Sequence, residues 1–504
     1  MTNSEGGGAC DSGRGGECDA ATAQAWAALG GPPELVAKVA YERDAGDVLP
    51  ARLPVRQLAR AAVGACSLAA AELVAARGAA GVPAVRISEG AVATAFHSER
   101  LLRIDGRAPA NFAPLSGFWR TADSWVRTHA NYPHHRARLL TALGIPDDGT
   151  RDGHALAGVL AAELATRTAH QVQEAVYAAG GLAVALAPAP ARTPDPTSTL
   201  APTSTPASVG SSGAAPVLPL VERRSGPAAG GRRLPQASLP AAGVRVLDLT
   251  RVLAGPVAAR TLALLGADVL RVDPPGLRED ADTHTDTGMG KRSTLLDLTA
   301  PHDRETFERL LASADVVLSG YRPGALDRLG LAPEALLERR PGLVVAQLCA
   351  WGWTGPWSAR RGFDSLVQVG TGIASIEGEG PGGRPGALPA QALDHGTGYL
   401  VAAGVLRALT VRQESAQGCH LRYSLAGTAS WLMHGLRADP RPGPGSGSGR
   451  GSGRGGYEAK RWMATAESPY GTLDHALPPV GYQGAPRNWS RSVSEWGTDR
   501  PEWL

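Results

Sequence analysis

An aspartate set just ahead of a run of small residues is the most chemically suggestive feature of this 504-residue sequence. It lies in Leu388-Pro-Ala-Gln-Ala-Leu-Asp394-His-Gly-Thr-Gly398, which leads into the apolar run 399–409. An acidic residue before such a turn, with a helix after it, sits beside backbone N–H groups that have no intrahelical partner. Two roles follow from the spacing. Asp394 can cap the helix by accepting from its first N–H groups. Alternatively it can act as a nucleophile, since a carboxylate is ionised at neutral pH without special tuning. In that second role the N–H groups of Gly396, Thr397 and Gly398 are expected to hold developing negative charge at the helix start.

Other chemistries fit less well. The turn Thr250-Arg-Val-Leu-Ala-Gly-Pro256 follows a strand, yet its one glycine precedes a proline. It cannot form the G-x-G-x-x-G phosphate cradle of nicotinamide enzymes. His129, His134 and His135 cluster, but adjacent side chains on a helix point about 100° apart and share one ion poorly. No metal site is therefore expected. Cys10, Cys18, Cys66, Cys349 and Cys419 are odd in number and lack a C-x-x-C pair, which disfavours a disulfide framework or a zinc site.

The elements that must position Asp394 alternate strand and helix. Strands are expected at 244–249, 268–272, 294–298, 315–318 and 343–348, and helices at 255–265, 304–312 and 333–338. Continuous apolar strands between amphipathic helices imply a Rossmann-like parallel sheet covered on both faces. Upstream, helical patterns occupy 21–40 (with a break near Pro32-Pro33), 57–77, 89–98, 131–143 and 153–179. A short strand is expected at 83–88, and 117–129 reads as an aromatic hairpin turning at 121–124. This describes a helical, α+β N-terminal domain over 21–187, preceded by a disordered Gly-rich start over 1–20. A Pro/Thr/Ser/Gly-rich linker spans 188–242 and a Gly/Ser/Arg linker 436–456, isolating a catalytic block at 243–435 from a C-terminal segment at 457–504. A faint repeat relates Leu68 to Arg77 and Val85 to Ser88 with Leu400 to Leu409 and Leu421 to Ser424. The counterpart of Asp394 then falls between Leu58 and Ala62, where no acid lies.

Five ordered blocks resemble one family. They are Val246-Leu-Asp-Leu-Thr-Arg-Val-Leu-Ala-Gly-Pro256, Leu264-Leu-Gly-Ala-Asp-Val-Leu-Arg-Val-Asp-Pro-Pro-Gly276, Gly290-Lys-Arg-Ser-Thr-Leu-Leu-Asp-Leu298, Tyr321-Arg-Pro-Gly-Ala-Leu-Asp-Arg-Leu-Gly330 and Gly352-Trp-Thr-Gly-Pro356. Over about 243–431 the chain resembles the class III CoA-transferases, the formyl-CoA and carnitine-type enzymes, a family that includes α-methylacyl-CoA racemases. The resemblance implies transfer of CoA from an acyl-CoA donor to a carboxylic acid acceptor, through an Asp394 mixed anhydride and an aspartyl-CoA thioester. It also implies a CoA thioester as substrate, with no tightly bound cofactor. Arg251, Lys291, Arg292, Arg322 and Arg328 become candidate cations for the phosphates of CoA, with Lys291 and Arg322 foremost. Asp364 is expected to support the active-site loop or to cap a turn. The racemase branch needs a His where Phe363 stands, and phenylalanine cannot shuttle a proton. Racemisation, and a catalytically silent CoA-binding protein, are the alternatives. The family's small domain does not follow residue 435, so residues 55–185 are expected to supply it as a partial, inactive copy. The outcome would be a homodimer or an intramolecular pseudo-dimer.

Composition sets the remaining bounds. With 50 Lys and Arg against 47 Asp and Glu, the net charge of +3 gives no reason to expect nucleic-acid or membrane-surface binding. The start has neither a basic nor an apolar region of a signal peptide, and no run is expected to reach the ~18–20 apolar residues of a membrane span. A cytoplasmic location is the expectation.

Overall fold

The computed structural model describes residues 19–78, 81–110, 112–147, 152–190, 218–226, 231–437 and 457–504. The Gly-rich start and the 438–456 stretch fall outside the described residues.

The N-terminal half is built around the long helix α1 (Val55–Ala76), which the short helix α2 (Glu89–Ala95) follows. Strands β1 (Gly117–Arg120) and β2 (Trp125–Thr128) form the expected hairpin. Helices α3 (Pro133–Leu143), α4 (Gly153–Ala165) and α5 (Ala169–Ala178) follow, and β3 (Ala183–Ala185) closes a three-stranded antiparallel sheet against β2. The single helix expected over 153–179 is two. The first ends at its C-cap Thr166, and Thr168 starts the second through a capping box with Gln171, each side chain bonding the other's backbone N–H.

The C-terminal half is doubly wound. Its elements are β4 (Glu222–Ser225), β5 (Arg245–Leu249), α6 (Ala254–Leu264), β6 (Asp268–Asp273), β7 (Arg292–Leu295), α7 (Pro301–Leu311), β8 (Val316–Ser319), α8 (Pro333–Arg339), β9 (Val344–Cys349), α9 (Asp364–Gly370), α10 (Ala392–Ser415) and β10 (Cys419–Ser424). The sheet order is β7-β6-β5-β8-β9-β10-β4, parallel except for β4. The strand order reverses between the parallel neighbours β5 and β8, so a switch point opens beyond their C-terminal ends. Alternation along the strands builds both faces. Val246, Val269, Val316 and Val344 join one core with α1, α6 and α10, whereas Leu247, Leu270, Val317 and Val345 pack with Phe307, Leu310 and Leu336.

Three expectations need correction. The 188–242 stretch is not all linker: Glu222–Ser225 adds an antiparallel edge strand to β10, and Leu234 and Ala241 are buried. Strand β7 begins two residues earlier than expected, because Arg292 pairs with Asp268 and draws the register against β6. Helix α1 is long and apolar enough to cross a membrane by length and composition. Here it is buried inside the protein, where it packs along α10 and carries Arg60 and Glu72 in ion pairs.

The repeat has a structural counterpart. Helix α1 and helix α10 lie together. Each is followed by a strand ending in a serine that caps the next helix, Ser88 bonding the Ala91 N–H and Ser424 the Gly427 N–H. In the region of α1 that corresponds to Asp394, Arg60 binds Glu89 and Asp19.

Candidate active site

Asp394 is the third residue of α10 and is 7% exposed. It is not the helix cap. That role falls to Asp364 at the start of α9, whose Oδ2 accepts the Asp394 N–H at 2.9 Å. Gln368 holds Asp364 in turn and accepts the Leu388 N–H at 2.9 Å through its own oxygen. Asp364 therefore does the capping work, and the Asp394 carboxylate is left to line two cavities. Burial, then the charges of Asp364 and Glu99, push its pKa well above the ordinary carboxylate value. Asp364 is itself raised to about 6, mainly by burial. Burial and neighbouring charge thus disfavour the ionised form of Asp394, whereas the sequence alone suggests a carboxylate that ionises without tuning.

The N–H groups of Gly396 and Gly398 do not form an oxyanion site. Both residues lie in the second turn of α10, where i→i−4 bonds occupy their N–H groups. Their small size serves packing instead. A Cβ on Gly398 would stand 2.6 Å from the Ala254 carbonyl, so glycine lets α10 approach the start of α6 closely. His395 is fully buried, donates or accepts at Nε2 with Glu99 at 3.0 Å, and stacks on Phe96. It orients Glu99 rather than facing substrate.

The larger cavity, about 700 Å³, runs along the C-terminal ends of the strands and is roofed by α3 of the N-terminal half. Leu249, Asp273, Gly320 and Cys349 line it below; Tyr132, His135 and Arg138 line it above. The wall is strongly basic. Arg322 and Arg328 are exposed within it and have no acidic partner among the described residues. Arg361 faces them, its pKa lowered by burial and then by the neighbouring Arg322 and Arg138 charges. Such crowding of like charge suits a polyanion. Arg251 also lines the cavity but is held by the Leu277 carbonyl and Glu279.

Two of the five expected cations are elsewhere. Lys291 is 2% exposed and bonds Asp248 at 3.0 Å inside the core. Arg292 is 4% exposed and grips Asp268 at 2.8 and 3.0 Å. Neither lines the larger or the smaller of the two cavities at Asp394. Conversely, Arg138 and Arg361 were missed. Arg361 adjoins the Gly362-Phe-Asp364 stretch, which is a usable signal. Arg138 carries none, because only the fold brings α3 over the sheet. Replacing Arg322 by Ala is expected to weaken CoA binding about tenfold, with a reduced salt dependence, as loss of one charge-assisted phosphate contact predicts. Calorimetric titration at two salt concentrations checks this.

The loop after β5 joins the two cavities. Val252 has φ 69°, an unusual conformation for a β-branched residue. Its N–H bonds Glu279 at 3.2 Å, and Glu279 also takes Tyr132 from the N-terminal half at 2.6 Å and the buried Arg271 at 3.0 Å. One carboxylate thereby pins the strained loop and the overlying half together.

The smaller cavity, about 110 Å³, shares Val252, Leu253, Phe363 and Asp394 with the larger. His129 stacks on Phe363 in this chamber, with ring centroids 3.8 Å apart. Asp394 thus stands where a large arginine-lined cavity meets a smaller one.

The fold and crevice define an α/β protein of the Rossmann-like class. Residues 241–464 match the model of CoA-transferase family III, the family that the sequence blocks of this region resemble. A probable fatty acyl-CoA transferase of Mycobacterium tuberculosis is 37% identical over 190 residues, covering 35% of this chain and 48% of that protein. The acetyl-CoA:oxalate CoA-transferase of Acetobacter aceti is 33% identical over 211 residues, covering 39% of this chain and 54% of that one. The chain therefore spans about half the length of the curated relatives it matches. A solved CaiB/BaiF family protein from Brucella suis aligns with 28% identity and a TM-score of 0.36, over 46% of this chain and 65% of that one.

Proposed function

We propose that this protein transfers CoA from an acyl-CoA to a carboxylic acid, with Asp394 as the covalent nucleophile. The observation that carries the reading is the place of Asp394, a buried carboxylate at the junction of a cation-lined cavity and a small chamber. The phosphates of CoA lie along Arg322, Arg328, Arg361 and Arg138, and the thioester reaches Asp394. A carboxylate oxygen attacks the thioester carbonyl, the C–S bond breaks, and the thiolate leaves behind an acyl–aspartyl anhydride. The thiolate then attacks the aspartyl carbonyl, releasing the donor acid and forming aspartyl-CoA. The acceptor carboxylate reverses both steps and departs as the new acyl-CoA. Charge on the tetrahedral oxygen falls beside the N-terminal end of α6, whose first residues line the larger cavity.

Incubation with a panel of acyl-CoAs, followed by intact-protein mass spectrometry, tests the reading. A CoA-sized adduct that hydroxylamine removes and Asp394→Ala abolishes supports it. CoA binding without any adduct favours a silent binder.

Because Asp394 must ionise before it attacks, kcat/KM should rise with pH across the limb set by its raised pKa. Replacing Asp364 by Asn removes one of the charges that raise it, so the limb should move to lower pH. A limb that stays put or moves upward refutes the assignment.

The racemase reading gains one observation, the His129 ring against Phe363. Burial and the Arg127 charge push that imidazole down to about 3, which makes it a weak base for a carbon-bound proton. Transfer remains the better reading.

A further inference from the structure

We propose that Glu279 is a positioning residue for CoA transfer, carrying the seating of α3 over the larger cavity into the conformation of the loop beside Asp394. The proposal rests on the transferase reading above and adds to it a residue that lines neither cavity.

Glu279 is 4% exposed, and its two oxygens hold different parts of the protein. Oε1 accepts the Tyr132 hydroxyl at 2.6 Å, and Tyr132 is the residue from which α3 starts. The same helix presents His135 and Arg138 to the larger cavity. Oε2 accepts the Val252 N–H at 3.2 Å. Against the pull of burial, Arg271 and Arg251 hold the carboxyl below its ordinary pKa, so both oxygens stay acceptors. One carboxylate therefore joins the helix above the CoA cavity to the loop below it.

The loop needs that support. Val252 has φ 69°, a region that β-branched side chains avoid, and such a backbone persists only where its surroundings over-determine it. Val252 lines both cavities together with Asp394, and α6 begins just beyond it at Ala254. Its conformation thus sets how the N-terminal end of α6 lies relative to the nucleophile. Contacts that CoA makes with Arg138 on α3 are then realised as geometry at the reacting carboxylate, where a small displacement is costly.

Tyr132→Phe removes one hydroxyl and leaves Glu279 paired with Arg271 at 3.0 Å, so it cuts the link without stranding a buried charge. Initial rates are measured on the full chain, with the most active acyl-CoA and acid of a panel, with and without Val252→Gly. Tyr132→Phe alone is expected to lower kcat about tenfold and to leave KM for the acyl-CoA within about threefold of wild type. Glycine takes positive φ without strain, so in the Val252→Gly background the same hydroxyl should be worth about twofold or less. A hydroxyl that only docks the N-terminal half would cost the same in both backgrounds. That result, no loss at all, or a loss confined to KM overturns the proposal. Should no pair of substrates support transfer, the transferase reading fails by itself. The link is then read from amide hydrogen exchange over residues 250–256 of the free protein. Faster exchange there in Tyr132→Phe upholds the coupling of helix to loop, and unchanged exchange overturns it.

Discussion

Asp394→Asn is expected to lower CoA transfer by about 10³-fold or more, because the covalent steps lose their nucleophile. CoA binding should persist, since the arginines that line the larger cavity are untouched. The same substitution should also stabilise the fold, and the sign of that effect follows from linkage. The folded-state pKa of Asp394 lies above its ordinary value of 3.8. A group shifted this way favours the folded state fully only below its unfolded pKa, and that favour is lost as pH rises through the folded pKa. Above it, the wild type holds a buried charge beside Asp364 and Glu99, a burden that asparagine lacks. Thermal melts of the two proteins should therefore coincide near pH 4 and separate by pH 8, with the variant higher. A variant that melts lower than wild type at pH 8 contradicts this account of the site. An inactive yet more stable protein is the trade expected where a catalytic group is held in an unfavourable environment.

The fold was largely legible because its signals are local. Alternation of Val246 with Leu247, or Val344 with Val345, needs no knowledge of the partner strand to imply burial on both faces. The hairpin around Thr121 to Ser124 was read from its aromatic flanks and short turn. Strand β4 escaped notice because Glu222-Arg-Arg-Ser225 is charged, as suits a sheet edge that must not recruit another strand. The split at Thr168 carried a T-x-x-Q capping signal that the continuous helical pattern masked.

The site was legible only in part, and for a different reason. Asp394 stood out by its neighbours in sequence. What raises its pKa, and which cations face the ligand, depend on residues far away in the chain. Glu99 approaches from the N-terminal half through His395, and Arg138 comes from α3. Glycines next to an acid suggested free N–H donors, yet the helix begins at Ala392 and has already enclosed them. A family block likewise marks a lysine without saying whether it serves ligand or core.

Lys291 puts that last distinction to a decisive test. Its Nζ lies 3.0 Å from Asp248, with both side chains buried. Asp248 also accepts the Thr250 N–H at 2.9 Å and its hydroxyl at 2.5 Å. The pair therefore fixes the first residues of the loop that carries Val252 to both cavities. Removing one partner of a buried ion pair strands the other, at a cost of about 3–5 kcal/mol. Lys291→Met is thus expected to lower the denaturation midpoint severely. Adding Asp248→Asn should restore much of the loss, because the stranded charge disappears. A CoA ligand would behave otherwise. Lysine on a phosphate would leave the single variant stable, weaken CoA binding with a shallower salt dependence, and gain nothing from the second substitution. Chemical denaturation of the wild type, both single variants and the double variant, with CoA affinity measured on each, separates the two roles. Recovery of stability in the double variant identifies Lys291 as a strut beneath the loop. The cations for CoA are then those that the overlying N-terminal half and the loops beyond β8 and β9 bring to the crevice.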